Sequence, residues 1–122
     1  MIYAFALNNV TGDSFMINSF LSEESSISGL YFDHDVGQLW TQCSVSCNGI
    51  QHVFMIINGN FHSIGEYYPP NNMDNYKNEG FTIVPESQCN PYTNTKQVYW
   101  SDDGNDNLHA IRQGTIQCGL IF

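Results

Sequence analysis

The side chains able to do chemistry in this 122-residue chain are four histidines, one acidic turn and a scatter of tyrosines near predicted loops. His34, His52, His62 and His109 are the groups suited to proton transfer near neutral pH. None stands in a catalytic motif. Asp33-His34-Asp35 alternates carboxylate and imidazole, which suits a metal or an oriented base. With no third partner fixed by the sequence, the plainer reading is a strand end turning into solvent. His52 and His62 flank Asn58-Gly59 and can approach across a hairpin as a surface pair. There is no Ser-His-Asp order, paired-carboxylate spacing or glycine-rich phosphate loop, so no residue is assigned to catalysis.

Asp102-Asp103-Gly104-Asn105-Asp106-Asn107 gathers the carboxylate and amide oxygens that hard cations prefer, making Asp102, Asp103 and Asp106 candidate calcium ligands. The segment lacks the EF-hand spacing, and the same residue types make ordinary turns. No other cofactor is indicated. Tyr67, Tyr68, Tyr76, Tyr92 and Trp100 lie in or near predicted loops beside Asn, Gln and Asp, as in surfaces that contact sugars or proteins. Tyr67 and Tyr68 are expected to be partly exposed, whereas Tyr99 and Trp100 also suit a packed core.

The elements that must position these groups read as strands. Short β-branched and aromatic runs recur about every ten residues between Gly, Asn, Asp and Pro clusters, and no sustained 3.6-residue period appears. Strands are expected over 2–7, 14–20, 29–33, 38–45, 51–57, 60–64, 81–84, 97–100, 108–112 and 115–121. Asn58-Gly59 predicts a type I′ hairpin turn flanked by Ile57 and Asn60, because both central residues need positive φ. A short helix over 21–27, capped by Ser22, is expected. The segment 67–80, with Pro69-Pro70-Asn71-Asn72, reads as a long functional loop. The fold expected is all-β, a single-domain β-sandwich or β-barrel over residues 1–122.

Twelve acidic side chains face three basic ones, Lys77, Lys96 and Arg112, for a net charge of −9. Such a chain repels phosphate backbones and anionic lipid, so nucleic acid is not an expected partner, nor is membrane insertion. The even cysteine count in a small acidic, lysine-poor chain predicts two disulfides and an extracellular, secreted protein whose signal has been removed. Asn9-Val10-Thr11 is a glycosylation sequon that fits this route. Cys43 and Cys47 lie four apart in an expected strand, about 13 Å between α-carbons against a bridging limit of about 7 Å. They are therefore expected to pair with Cys89 and Cys118, in either arrangement. A zinc site is disfavoured because Cys89 and Cys118 are solitary.

Phe15-Met16-Ile17-Asn18-Ser19-Phe20, Ser28-Gly29-Leu30-Tyr31-Phe32-Asp33 and Thr41-Gln42-Cys43-Ser44 resemble a pattern of small secreted fungal proteins of the Alternaria-allergen-like class. The resemblance covers the N-terminal third. It implies a single disulfide-bonded β-barrel, secretion, and an effector, elicitor or allergen role without established catalysis. Trp40 to Cys47 looks like the opening of a thrombospondin type 1 repeat, but the arginine and further cysteines of that repeat do not follow. Asn78-Glu79-Gly80-Phe81 and Gln97-Val98-Tyr99 are similar to segments of fungal guanyl-specific ribonucleases, yet Arg112 and His109 are not placed as the catalytic pair. The expected function is that of a secreted, effector-like binding protein that recognises a host protein or cell-wall glycan through aromatic loops. A small hydrolase or degenerate ribonuclease-like protein, and a calcium-assisted lectin-like module, are the alternatives.

Overall fold

The computed structural model describes residues 1–21, 26–69, 77–104, 108 and 110–119. Nine strands follow in order: β1 Ile2–Leu7, β2 Ser14–Phe20, β3 Ile27–Asp33, β4 Gln38–Cys43, β5 Gln51–Ile57, β6 Asn60–Tyr67, β7 Asn78–Ile83, β8 Thr95–Asp102 and β9 Ile111–Gln117. They form three antiparallel sheets, β1-β2, β3-β4-β5-β6 and β7-β8-β9. The chain is all-β, as its spacing predicts.

The four-stranded and three-stranded sheets face each other as a sandwich. Inward-pointing Trp40 and Val53 meet Phe81, Ile83, Val98, Trp100 and Ile116, with Tyr31, Ile64 and Tyr67 packed at the margin. Phe81 lies between the two tryptophans, its ring centroid 6.2 Å from Trp40 and 6.1 Å from Trp100. At the seam the sheets nearly touch. A Cβ on Gly29 of β3 would stand 3.2 Å from the backbone nitrogen of Phe81 in β7, so only glycine permits this approach without a shift. The β1-β2 ribbon covers part of the outer side of the four-stranded sheet, where Phe20 stacks on Phe61 at 4.3 Å and meets the edge of Phe54 at 5.3 Å.

The Asn58-Gly59 turn forms as expected, with φ of 51° and 79° and Ile57 opposite Asn60. Elsewhere the strands depart from the expected bounds. β6 runs through Gly65 to Tyr67 and β7 begins at Asn78, which shortens the loop expected over 67–80; its residues 70–76 lie outside the described residues. The two strands expected over 108–112 and 115–121 are one, β9, because Gly114 continues the strand beneath the Trp100 ring. Of the helix expected over 21–27, residues 22–25 lie outside the described residues, and Ile27 already belongs to β3.

The cysteine pairing corrects the expectation. Cys43 and Cys47 are paired, as are Cys89 and Cys118, with α-carbons 5.8 and 6.1 Å apart. The strand does not continue past Cys43. A 3₁₀ turn over Val45–Cys47 and the positive φ of Asn48 and Gly49 reverse the chain, and Gln51 Nε2 donates to the Gly49 carbonyl at 2.6 Å. This reversal replaces the extended spacing that forbids a bridge.

Candidate functional site

Period-two alternation along β8 turns Lys96, Val98 and Trp100 inward and leaves Thr95, Gln97 and Tyr99 on the outer face. The neighbouring strands add to that face in register: Gln113 and Thr82 flank Tyr99, Thr115 lies opposite Gln97, and Gln117 lies opposite Thr95. Five of these, Thr82, Gln97, Gln113, Thr115 and Gln117, are exposed. These seven positions present hydroxyls, amides and a phenol, with no ionised group, while Ile111 at the end of β9 shares their side and is 71% exposed. The lack of charge is notable in a chain of net charge −9.

The face continues into a cavity of about 450 Å³ lined by Val84, Gln88, Asn90, Thr93, Thr95, Lys96, Gln97 and Thr115. Its rim is ordered by a turn in which Asn90 Oδ1 accepts from the Tyr92 amide at 2.9 Å and the Thr93 amide at 3.3 Å. The hydroxyls of Thr93 and Thr95 lie 2.7 Å apart. Tyr92, between two residues that line the cavity, is 96% exposed, so its ring is free to pack on a ligand. The Cys89–Cys118 pair fastens the segment before this turn to the end of β9. Threonine and amide side chains both donate and accept hydrogen bonds, so the combined surface suits a neutral ligand dense in hydroxyls.

At one end of the space between the sheets, a cavity of about 440 Å³ is lined by Val36, Gln38, Trp40, Met55, Glu86, Lys96, Ile116 and Gly119. Among these residues, Lys96 holds its Nζ 3.1 Å from Asp33 Oδ2 and 2.8 Å from Glu86 Oε2. The Lys96 and Asp33 side chains are 3% and 0% exposed, so this is a buried ion pair. Asp33 also accepts the Asp35 amide, and Asp35 in turn accepts from Ser87. The Ser87 hydroxyl and amide hold the Asp35 carboxyl below its ordinary range. Burial, together with Asp33 and Asp35, pushes the Tyr31 phenol up.

The residues singled out from sequence scatter over the molecule. Tyr92 and Tyr68 are exposed. The Tyr68 hydroxyl donates to Glu66, which raises the phenol's pKa. Tyr67 is half-buried with its ring edge toward Trp40, and burial raises its phenol too. Trp100 is 1% exposed in the core and has no face left for a ligand, a correction that follows from its inward position beside Val98. Tyr76, His109 and Asp106 lie outside the described residues. Asp102 is committed to Arg112 at 2.7 Å, its side chain 1% exposed, and Arg112 also reaches Asn78. The calcium set therefore loses Asp102 to an internal cation, leaving Asp103 exposed beside it. Among the described residues no three His, Cys, Asp or Glu side chains gather as a metal site.

The histidines do not converge. His34 packs its edge against Phe32, and Asp33 beside it turns inward rather than to solvent. The register sets His62 opposite Met55 and His52 opposite Glu66, so the expected pair does not form. Instead His52 Nε2 lies 3.1 Å from Glu66 Oε1.

Sequence reasoning missed the outer face of β7-β8-β9 and the Lys96 ion pair. Both were signalled by one alternation, since Lys96 shares parity with Val98 and Trp100 while Gln97 and Tyr99 take the other side. No family model, curated protein or solved structure matches this chain.

Proposed function

We propose that this chain is a secreted, effector-like binding protein that recognises an extracellular glycan, with the outer face of β7-β8-β9 and the adjoining Asn90–Thr95 cavity as its site. The observation that carries the reading is the charge-free array of Thr95, Gln97, Tyr99, Gln113 and Thr115, leading to the exposed ring of Tyr92. Sugar hydroxyls both donate and accept hydrogen bonds, matching amide and threonine side chains, and an aromatic face packs against the apolar face of a pyranose ring. A proteinaceous partner of the common kind would find few apolar anchors here, because aromatic and large aliphatic groups dominate binding hot spots. Two paired cysteines on each sheet side suit an oxidising location.

The test is a glycan array followed by calorimetric titration with the best binder. Tyr92→Ala and Gln97→Ala are each expected to weaken binding by about 1–2 kcal/mol, with the melting temperature nearly unchanged. Binding that survives both substitutions, or an array without a hit at millimolar oligosaccharide, would sink this reading.

A further inference from the structure

The β1-β2 ribbon carries a second surface, of opposite character. Its inner side rests on the four-stranded sheet through Ile2 and Phe20, and Asn18 Nδ2 donates to the Gly59 carbonyl at 3.2 Å. The register places Tyr3, Phe5 and Leu7 of β1 on the other side with Met16 of β2, which pairs with Phe5. These four are 55%, 61%, 68% and 55% exposed. Ile17, the extra residue at the β-bulge opposite Ala4 and Phe5, is 60% exposed. Neither strand contains a charged residue.

We infer that this face is a self-association surface, occupied by the same face of a second copy of the chain. Area, charge and symmetry support that occupant. Each of the five side chains exposes about 120 Å², given that large apolar and aromatic groups bury roughly 150–250 Å² when fully covered. Covering the face in two copies removes about 1,200 Å² in total, which meets the lower bound for a specific interface. A copy carrying nine net negative charges would be repelled if its acidic surface met another acidic surface, and the uncharged strands of this ribbon let two copies meet without apposing carboxylates. An isologous contact needs only one self-complementary patch, which an uncharged apolar face supplies. The ribbon stands apart from the outer face of β7-β8-β9, so association leaves the proposed glycan surface free.

Sedimentation velocity from about 1 to 200 µM tests the inference on the full chain, with Phe5→Lys and Met16→Lys as separate variants. The expected result is a concentration-dependent dimer whose dissociation constant rises at least about tenfold in each variant, with circular dichroism and melting temperature unchanged. Amide exchange in 3–7 should also slow with wild-type concentration, a readout that does not depend on any variant folding. A protein that stays monomeric at 200 µM, or a dimer that ignores both substitutions, overturns it. A monomer that instead binds zwitterionic vesicles through Phe5 overturns it too and gives the face to lipid.

Discussion

Lys96→Met removes the cation at the centre of the interlayer ion cluster while keeping its length and apolar stem. In the native chain Lys96 Nζ lies 3.1 Å from a carboxylate oxygen of Asp33, a residue with 0% exposure. Without the ammonium, Asp33 keeps the Asp35 amide but loses its counter-charge in a site closed to water. Breaking a buried ion pair by deleting one partner costs about 3–5 kcal/mol, because an uncompensated charge stays behind. Glu86, at 24% exposure, adds less, since water and the Gly119 amide still serve it. For a chain of this size the loss corresponds to a fall in melting temperature of roughly 10–20 °C. Asp33→Asn with Lys96→Met removes both charges, and the double variant should be more stable than the sum of the single losses by about 1–3 kcal/mol. Urea denaturation with the disulfides intact measures all four corners of that cycle. A Lys96→Met protein within about 1 kcal/mol of the parent, or strictly additive losses, would refute the assignment of Lys96 as the partner that makes a buried Asp33 tolerable.

Replacing Cys89 and Cys118 with serine should cost about 3–4 kcal/mol through the longer loop they close, against about 2 kcal/mol for Cys43 and Cys47; separations of 29 and 4 residues set that order, and equal losses by denaturant titration would contradict it. Asp35 has a folded pKa below its unperturbed 3.8, owing to the hydrogen bonds from Ser87. Its contribution to stability is therefore present above about pH 4 and is lost as pH falls through the folded value. Carbon-detected NMR titration should show the Asp35 midpoint rise in Ser87→Ala, and an unmoved midpoint would remove the serine hydroxyl as the cause.

The parts of this fold legible in sequence are those decided locally. Asn58-Gly59 needs positive φ at both positions and finds it, and most strand centres follow from alternation. Asn48-Gly49 makes the same demand, yet its proximity to an apparent strand through Cys43 and Val45 hid a reversal that brings two cysteines together. Gly65 and Gly114 read as strand breaks, but both lie within strands. One sits beside the bulge where β5 and β6 shift register, and the other leaves room for Trp100. Glycine in a strand answers to what approaches it from another strand, which no single segment records. The Lys96–Asp33 pair was hidden for a related reason. A lysine at a core-facing position reads as an error in alternation until Asp33, 63 residues away in sequence, is seen opposite it.

The placement of the three basic side chains also governs how the molecule comes apart. Lys96 is buried and Arg112 is nearly so, each held by carboxylates, while Lys77 is exposed just before β7. A protease that cuts after basic residues finds one exposed basic side chain, Lys77, but the Lys77 carbonyl accepts the Asp103 amide at 2.9 Å and Asn78 is buried at the start of β7, so the bond is open to cleavage only when that end of β7 lifts from the sheet. Cleavage there divides the sandwich along its own layers: β1 to β6 with Cys43–Cys47 on one fragment, β7 to β9 with Cys89–Cys118 on the other. No covalent bond would join the halves, and they would stay together through the interlayer core around Trp40, Phe81 and Trp100, the β3–β7 seam, the Asp33–Lys96 pair and the Ser87–Asp35 hydrogen bond. The chain is thus arranged as two complementary fragments, each with its own cross-link, divided at a single peptide bond that the start of β7 protects.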